Sequence, residues 1–236
     1  MPQKRPQSSP SFNTEYIAKE SRALRPEYYP AYLDLKWKKC VVIGGGKVAE
    51  RKVKALLGSG ASIRVISPEL TAVLQRFVLK GAIRHTARAY RKGDLREAFL
   101  VIAATSDEVT NRAVSSDAPF LVNVVDAPGL ANFIVPAVIT SGPLKIAVST
   151  GGASPAMASS VRRELEILYG KDVGRYLVFI GKLRNQVMET VVDMKAREAF
   201  FKMAGSAEIL RLVRDEGFRK AKAKIMDRLL QLGGAK

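Results

Sequence analysis

The sequence predicts an α/β chain: a parallel sheet wrapped by helices, then a small β-containing segment, then a helical C-terminal region. Three observations carry this. Short β-branched runs alternate with helix-spaced stretches as far as residue 126. The first run enters a glycine turn that opens directly into a helix. Beyond residue 126 the rhythm gives way to a two-strand pattern and then to charged helical spacing.

Taken in order, Lys39–Ile43 reads as a buried strand, and Lys47–Gly60 places Ala49, Val53, Leu56 and Leu57 on one helix face. Gly58 and Gly60 stop that helix, and Ser62–Ser67 forms the second strand. Leu70, Val73, Leu74, Phe77 and Val78 mark a second amphipathic helix, and Ala82–Thr86 a short third strand. Phe99–Ala104 is short and wholly apolar, as a central parallel strand should be; a polar helix start follows at Thr105-Ser106-Asp107, and Phe120–Val124 is the fifth strand. Strands alternating with helices imply right-handed crossovers and a Rossmann-like domain over 28–126. Next come two strands, Asn132–Ile139 and Leu144–Thr150, joined at Ser141-Gly142-Pro143. Ser154 as N-cap and Pro155 at the first helical position begin a helix to about Leu168, and 154–236 is expected to be a helical domain.

Composition narrows the function classes. At 236 residues and 47% hydrophobic, the chain can bury a core and divide into more than one unit. A single cysteine excludes an intramolecular disulfide and suits a reducing cytoplasm; Cys40 opens the first strand and reads as a packed thiol. No apolar run approaches the roughly 18 residues of a spanning helix, so no membrane partner is expected. Residues 1–27 read as a flexible leader rather than a secretory signal. The charge of +17 is spread along the chain without a helix-turn-helix or RNA-binding signature, so nucleic acid is not an expected partner. A small polyanionic substrate or a solvated basic surface accounts for it equally well. His85, the only histidine, has no nearby Cys or His in sequence, and no metal site is expected.

The chemistry concentrates in the loops after the strands. Gly44-Gly45-Gly46-Lys47-Val48-Ala49 is the G-x-G-x-x-A form of the dinucleotide fingerprint. Gly44 permits the sharp reversal, Gly46 lets a pyrophosphate approach the backbone, and Ala49 lets the helix pack closely on the strand. The acid expected about 20 residues later is missing, because the second strand ends in Ser67-Pro68-Glu69. Ser67 and Pro68 are therefore placed at the adenosine ribose, and NAD is favoured over NADP since no arginine follows that strand. Thr105 and Ser106 either contact the cofactor or cap the next helix. Asp126, after the fifth strand, either removes a substrate proton once desolvated or makes an Asp-Ala-Pro-Gly turn bonded to its own backbone. Gly151, Gly152 and Ser154 approach a second helix N-terminus, which either binds a substrate carboxylate or is simply capped.

Together these segments resemble the siroheme synthase N-terminal family of precorrin-2 dehydrogenases, some of which are also sirohydrochlorin ferrochelatases. The matching text is Tyr29-Pro30-Ala31-Tyr32-Leu33-Asp34-Leu35, the glycine turn with Val48-Ala49-Glu50-Arg51-Lys52, Ala103-Ala104-Thr105, Asn123-Val124-Val125-Asp126, Phe133-Ile134-Val135-Pro136-Ala137 and Val148–Pro155. The resemblance implies NAD-dependent oxidation of precorrin-2 to sirohydrochlorin, with Asp126 on the family's catalytic aspartate. A homodimer joined through 127–153 is implied as well; Gly151, Gly152, Ser154 and Asn123 are expected on the substrate side, Asn123 in a structural rather than a catalytic role. Ferrous ion as a chelatase substrate stays open, because relatives differ in it. Thr150 stands where some members carry serine, so a serine-specific modification there does not transfer. The alternative is a module that senses NAD without hydride transfer.

Overall fold

The computed structural model describes residues 28–233; the expected leader, 1–27, lies outside them. Two compact units divide the chain between Val135 and Pro136.

The first unit is a five-stranded, wholly parallel sheet. In chain order its elements are β1 (Lys39–Ile43), α1 (Lys47–Leu57), β2 (Ser62–Ile66), α2 (Ala72–Leu79), β3 (Arg84–Thr86), β4 (Leu100–Ala103), α3 (Glu108–Asp117) and β5 (Leu121–Val124). The spatial order β3-β2-β1-β4-β5 reverses direction of growth between β1 and β4, which opens a crevice at their carboxyl ends. Alternation along each strand fills both faces. Val42, Val65, Leu100 and Ile102 pack with Ala49, Val53 and Leu56 of α1 and Leu74 of α2 on one side. Val41, Ile43, Ile66, Val101, Ala103, Val122 and Val124 pack with Val114 of α3 on the other. A sheet covered twice needs near-continuous apolar strands, which is why these runs read so clearly in the sequence.

The second unit begins with an antiparallel hairpin, β6 (Ala137–Ser141) and β7 (Leu144–Val148), whose register pairs Ser141 with Leu144. Gly142 has φ +57°, the left-handed position that a two-residue hairpin loop requires ahead of Pro143. Five helices follow: α4 (Pro155–Leu168), α5 (Lys171–Thr190), α6 (Met194–Ala204), α7 (Ala207–Asp215) and α8 (Phe218–Gly233). Their core holds Val173, Tyr176, Leu183, Val187, Phe200, Ile209, Val213, Ala221 and Ile225. The Tyr176 hydroxyl donates to the Ala204 carbonyl at 2.7 Å, and burial pushes its pKa up to about 12.

One expected strand is corrected. Residues 132–136 do not extend β6, because Asn132 is committed to β5. Its N–H donates to Val122 O at 3.0 Å, its Oδ1 accepts from Val122 N at 2.8 Å, and its Nδ2 donates to Phe120 O at 2.6 Å. One asparagine thus stands in for a sixth strand and satisfies an otherwise open edge. The first unit accordingly runs past Asp126 to residue 135. The other shortfalls are end residues: α1 stops at Leu57, β7 at Val148, and β3 starts at Arg84.

Candidate functional site

The sheet ladder continues one residue past each strand and brings the predicted loops to one edge. Gly44 N donates to Ile66 O at 2.9 Å, Ala104 N to Ile43 O at 2.8 Å, Val125 N to Ala103 O at 2.9 Å, and Ser67 N to Thr86 O at 3.2 Å. Gly44–Ala49, Ser67-Pro68, Thr105-Ser106 and Asn123–Asp126 therefore share the carboxyl edge of a single sheet. Gly151, Gly152 and Ser154 belong to the second unit and gather at the start of α4.

Each glycine of the turn has its own task. Gly44 sits at φ +112°, and a Cβ there would lie 2.3 Å from Ala104 O. A Cβ on Gly45 would lie 1.8 Å from Glu69 O and 2.9 Å from Ser67 Oγ. Gly46 has nothing within 4 Å of that position and is the N-cap of α1, with no side-chain hydrogen bond to the helix. A helix N-terminus with uncapped N–H groups beside open space fits a diphosphate. Lys47 is exposed, Val48 half-buried and Ala49 fully buried against the sheet.

Ser67 is buried with its hydroxyl over Gly45, and its carbonyl accepts from His85 Nε2 at 2.9 Å. Pro68 is exposed beside it. The guanidinium of Arg64, the only arginine in β2, is engaged at the Asp94 carbonyl. At the end of β4, Asp107 caps α3 by accepting from Val109 N and Thr110 N, each at 3.2 Å. Thr105 Oγ1 accepts from Asp107 N at 3.0 Å, so it shapes the turn, and Ser106 is exposed.

Asp126 lies in the left-handed region at φ +61°, a conformation that Asp tolerates better than most side chains. The chain turns here through residues 124–127 (Ala127 N to Val124 O, 3.3 Å) and then through a 3-10 turn at Pro128–Leu130, rather than through 126–129 as one turn. Among the described hydrogen bonds, none ties the carboxylate to its own backbone, and the side chain is exposed rather than desolvated. Its charge acts on Lys52 of α1. Partial burial pulls the Lys52 ammonium below its usual value, the Arg51 charge adds to this, and Asp126 opposes it. Asn123 donates from Nδ2 to Phe133 O at 3.1 Å, which helps to fix the same edge.

In the second unit Ser154 Oγ accepts from Met157 N at 3.1 Å, a helix cap. Gly151 and Gly152 take φ +59° and +81°. Thr150 Oγ1 accepts from Ser154 N and donates to Ser154 O, both at 3.1 Å, closing the loop.

Three residues escaped the sequence reading. Glu50 is 7% exposed; bonds from Lys54 at 2.7 Å and Thr71 at 2.9 Å hold its carboxyl below the usual range. The i,i+4 spacing to Lys54 was a local signal, whereas the link to Thr71 was not. Asn111 in α3 donates to Thr105 O at 3.1 Å, while its buried Oδ1 has no partner among the described residues. Lys52 stands in the 48–52 stretch that carries the resemblance, but nothing local pointed to its interaction with Asp126.

Comparison with known proteins bears on this edge directly. A family model described as NAD(P)-binding matches residues 31–137, and one described as sirohaem biosynthesis protein, central, matches 141–167. A siroheme synthase of Methylobacillus flagellatus is 41% identical over 178 residues, 74% of this chain and 38% of that protein. The siroheme synthase of Chromobacterium violaceum is 36% identical over 212 residues, 89% of this chain and 45% of that protein. The chain belongs to the siroheme synthase N-terminal family. It spans less than half the length of these curated relatives. The solved structure titled SirC, precorrin-2 dehydrogenase, superposes with a TM-score of 0.70 at 27% identity, covering 87% of this chain and 98% of that one. The first unit of this family member is thus an NAD(P)-binding domain, and its glycine turn offers the open backbone such a cofactor needs. No described helix is long and apolar enough to cross a membrane.

Proposed function

We propose that this chain is an NAD-dependent dehydrogenase that oxidises precorrin-2 to sirohydrochlorin. The observation that carries the reading is the common edge. The glycine turn after β1 and the carboxylate after β5 are separated by β4 alone. Two strand spacings put them about 10 Å apart along the edge, within the span of one extended dinucleotide. A bound nicotinamide supplies the hydride-accepting chemistry. The residues do the rest: the α1 N-terminus fixes the diphosphate, Ser67 hydrogen-bonds the ribose, and Thr105 and Ser106 border the nicotinamide half. Losing a hydride leaves the macrocycle with a proton to shed, and Asp126 receives it. The substrate itself excludes water from the exposed carboxylate as it docks. Lys52 of α1 carries the opposite charge close enough for the two to interact.

NAD rather than NADP is supported by Ser67 at the ribose position and by Arg64 being engaged elsewhere. Asn123, Gly151, Gly152 and Ser154 are assigned to the substrate side. A two-stranded hairpin is marginal alone, and Val138 on it is 44% exposed, so 127–153 is read as the segment that joins a homodimer. The lone buried thiol of Cys40 supports a cytoplasmic setting. Ferrous ion would be a second substrate, since its insertion also needs a base for the pyrrole N–H.

Anaerobic incubation of the chain with precorrin-2 and NAD tests the reading. NADH and the sirohydrochlorin spectrum should appear together. Firm NAD binding without turnover would leave a sensor instead. Adding ferrous ion to sirohydrochlorin without NAD tests the chelatase separately.

A further inference from the structure

A cavity of about 1390 Å³ lies wholly within the C-terminal unit, walled by the β6–β7 turn, the first turns of α5 and the α7–α8 junction. Its floor is rigid. Ser141 Oγ donates to Gly170 O at 2.6 Å, and a Cβ on Gly174 would meet that hydroxyl at 2.5 Å, so the hairpin turn is locked onto α5.

The charge on its walls is unbalanced. Three carboxylates line it, and each already holds a cation: Glu166 pairs with Arg162, Asp172 with Arg175, and Glu216 with Lys220. Asp172 also accepts from Phe218 N at 3.3 Å. Lys171, Lys182, Arg219 and Lys222 also line the cavity, and among the described residues no carboxylate lies within ion-pair reach of them. Between these cations the wall is aromatic. Phe179 and Phe218 meet edge to face with centroids 6.0 Å apart, and the Lys222 ammonium sits 5.7 Å from the Phe179 centroid. A solvated basic face intersperses charges of both signs. Here the acids are spent pairwise, and one of the remaining cations, Lys222, sits over a half-buried ring.

We propose that this groove binds a planar, conjugated polycarboxylate, with the ring system against Phe179 and Phe218 and the carboxylate arms on Lys171, Lys182, Arg219 and Lys222. The identity of that ligand as the tetrapyrrole consumed or released at Asp126 rests on the function proposed above; the groove is an additional seat for it. Cations on rings and anions on arms are the complementarity that such a ligand supplies and that water or a simple anion does not.

Uroporphyrin, an air-stable aromatic octacarboxylate, serves as the probe, titrated into the full chain without NAD and followed by fluorescence quenching. The Lys182→Gln/Lys222→Gln variant should bind it about tenfold more weakly. Arg84→Gln/Arg96→Gln removes the same charge from the first unit and should change affinity by no more than about twofold. Equal weakening in both variants, or none in the first, overturns the groove. So does an oligonucleotide that competes with equal affinity and the same dependence on the two lysines. Wild-type chain that binds the probe through these lysines but never oxidises precorrin-2 sinks the dehydrogenase reading and leaves the groove standing.

Discussion

Gly45 and Gly46 are adjacent and chemically identical, yet they serve different ends. A methyl group on Gly45 would lie 1.8 Å from a backbone oxygen that cannot swing aside, whereas one on Gly46 would meet nothing within 4 Å. Gly45→Ala should therefore destabilise the fold by about 3 kcal/mol or more. Gly46→Val should melt near the wild-type temperature while NAD titration shows binding lost. A Gly46→Val chain that titrates normally would remove the diphosphate from this turn. Asp126 calls for a substitution that respects its backbone. Because φ is +61°, alanine would add strain to the loss of charge, and asparagine keeps both shape and tolerance of that conformation. Asp126→Asn should lower kcat by about 10²–10⁴ while the Kd for NAD stays at the wild-type value. Unchanged kcat would take Asp126 out of the mechanism.

At the scale of elements, Thr71 joins three pieces of the nucleotide edge. Its N–H donates to Gly45 O at 3.0 Å, its Oγ1 accepts from Leu74 N at 3.3 Å to cap α2, and the same hydroxyl donates to Glu50 on α1. Thr71→Val keeps the first bond and loses the other two, and should cost about 1 kcal/mol through the cap alone. The acid limb of stability should change as well. Glu50 sits below its ordinary value when folded, first through Lys54 and then through Thr71. Its contribution is therefore present above that ordinary value and is lost as pH falls through the lowered folded one. In Thr71→Val the folded value is less lowered, so the loss should be smaller and complete at higher pH, which melting curves between about pH 6 and pH 3 would register. This clasp marks where sequence reading stops. β1, the start of α1, β2 and the Ser154-Pro155 helix start were legible because their signals are local: β-branched runs, a glycine turn, a cap followed by proline. The bond from Glu50 to Thr71 spans 21 positions. The use of Asn132 as a surrogate strand depends on β5 being an edge, and strand order is not written in any local pattern. The same holds for the basic groove, whose walls come from three separated stretches.

Over the whole molecule, 39 basic against 22 acidic residues give +17, and the proposed substrate carries acetate and propionate chains around its ring. A field of that sign raises the encounter rate with a polyanion and is screened by salt. NAD, close to singly charged overall, experiences much less of it. Raising ionic strength from about 0.05 M to about 0.5 M shortens the screening length from roughly 14 Å to roughly 4 Å. Over that range kcat/KM for precorrin-2 should fall at least about tenfold, carried by the capture step, while KM for NAD should move by no more than about twofold. Steady-state rates with each substrate varied in turn measure both. A parallel loss for the two substrates would mean that salt perturbs the shared nucleotide edge, and a flat response would show that the basic excess faces something other than the tetrapyrrole.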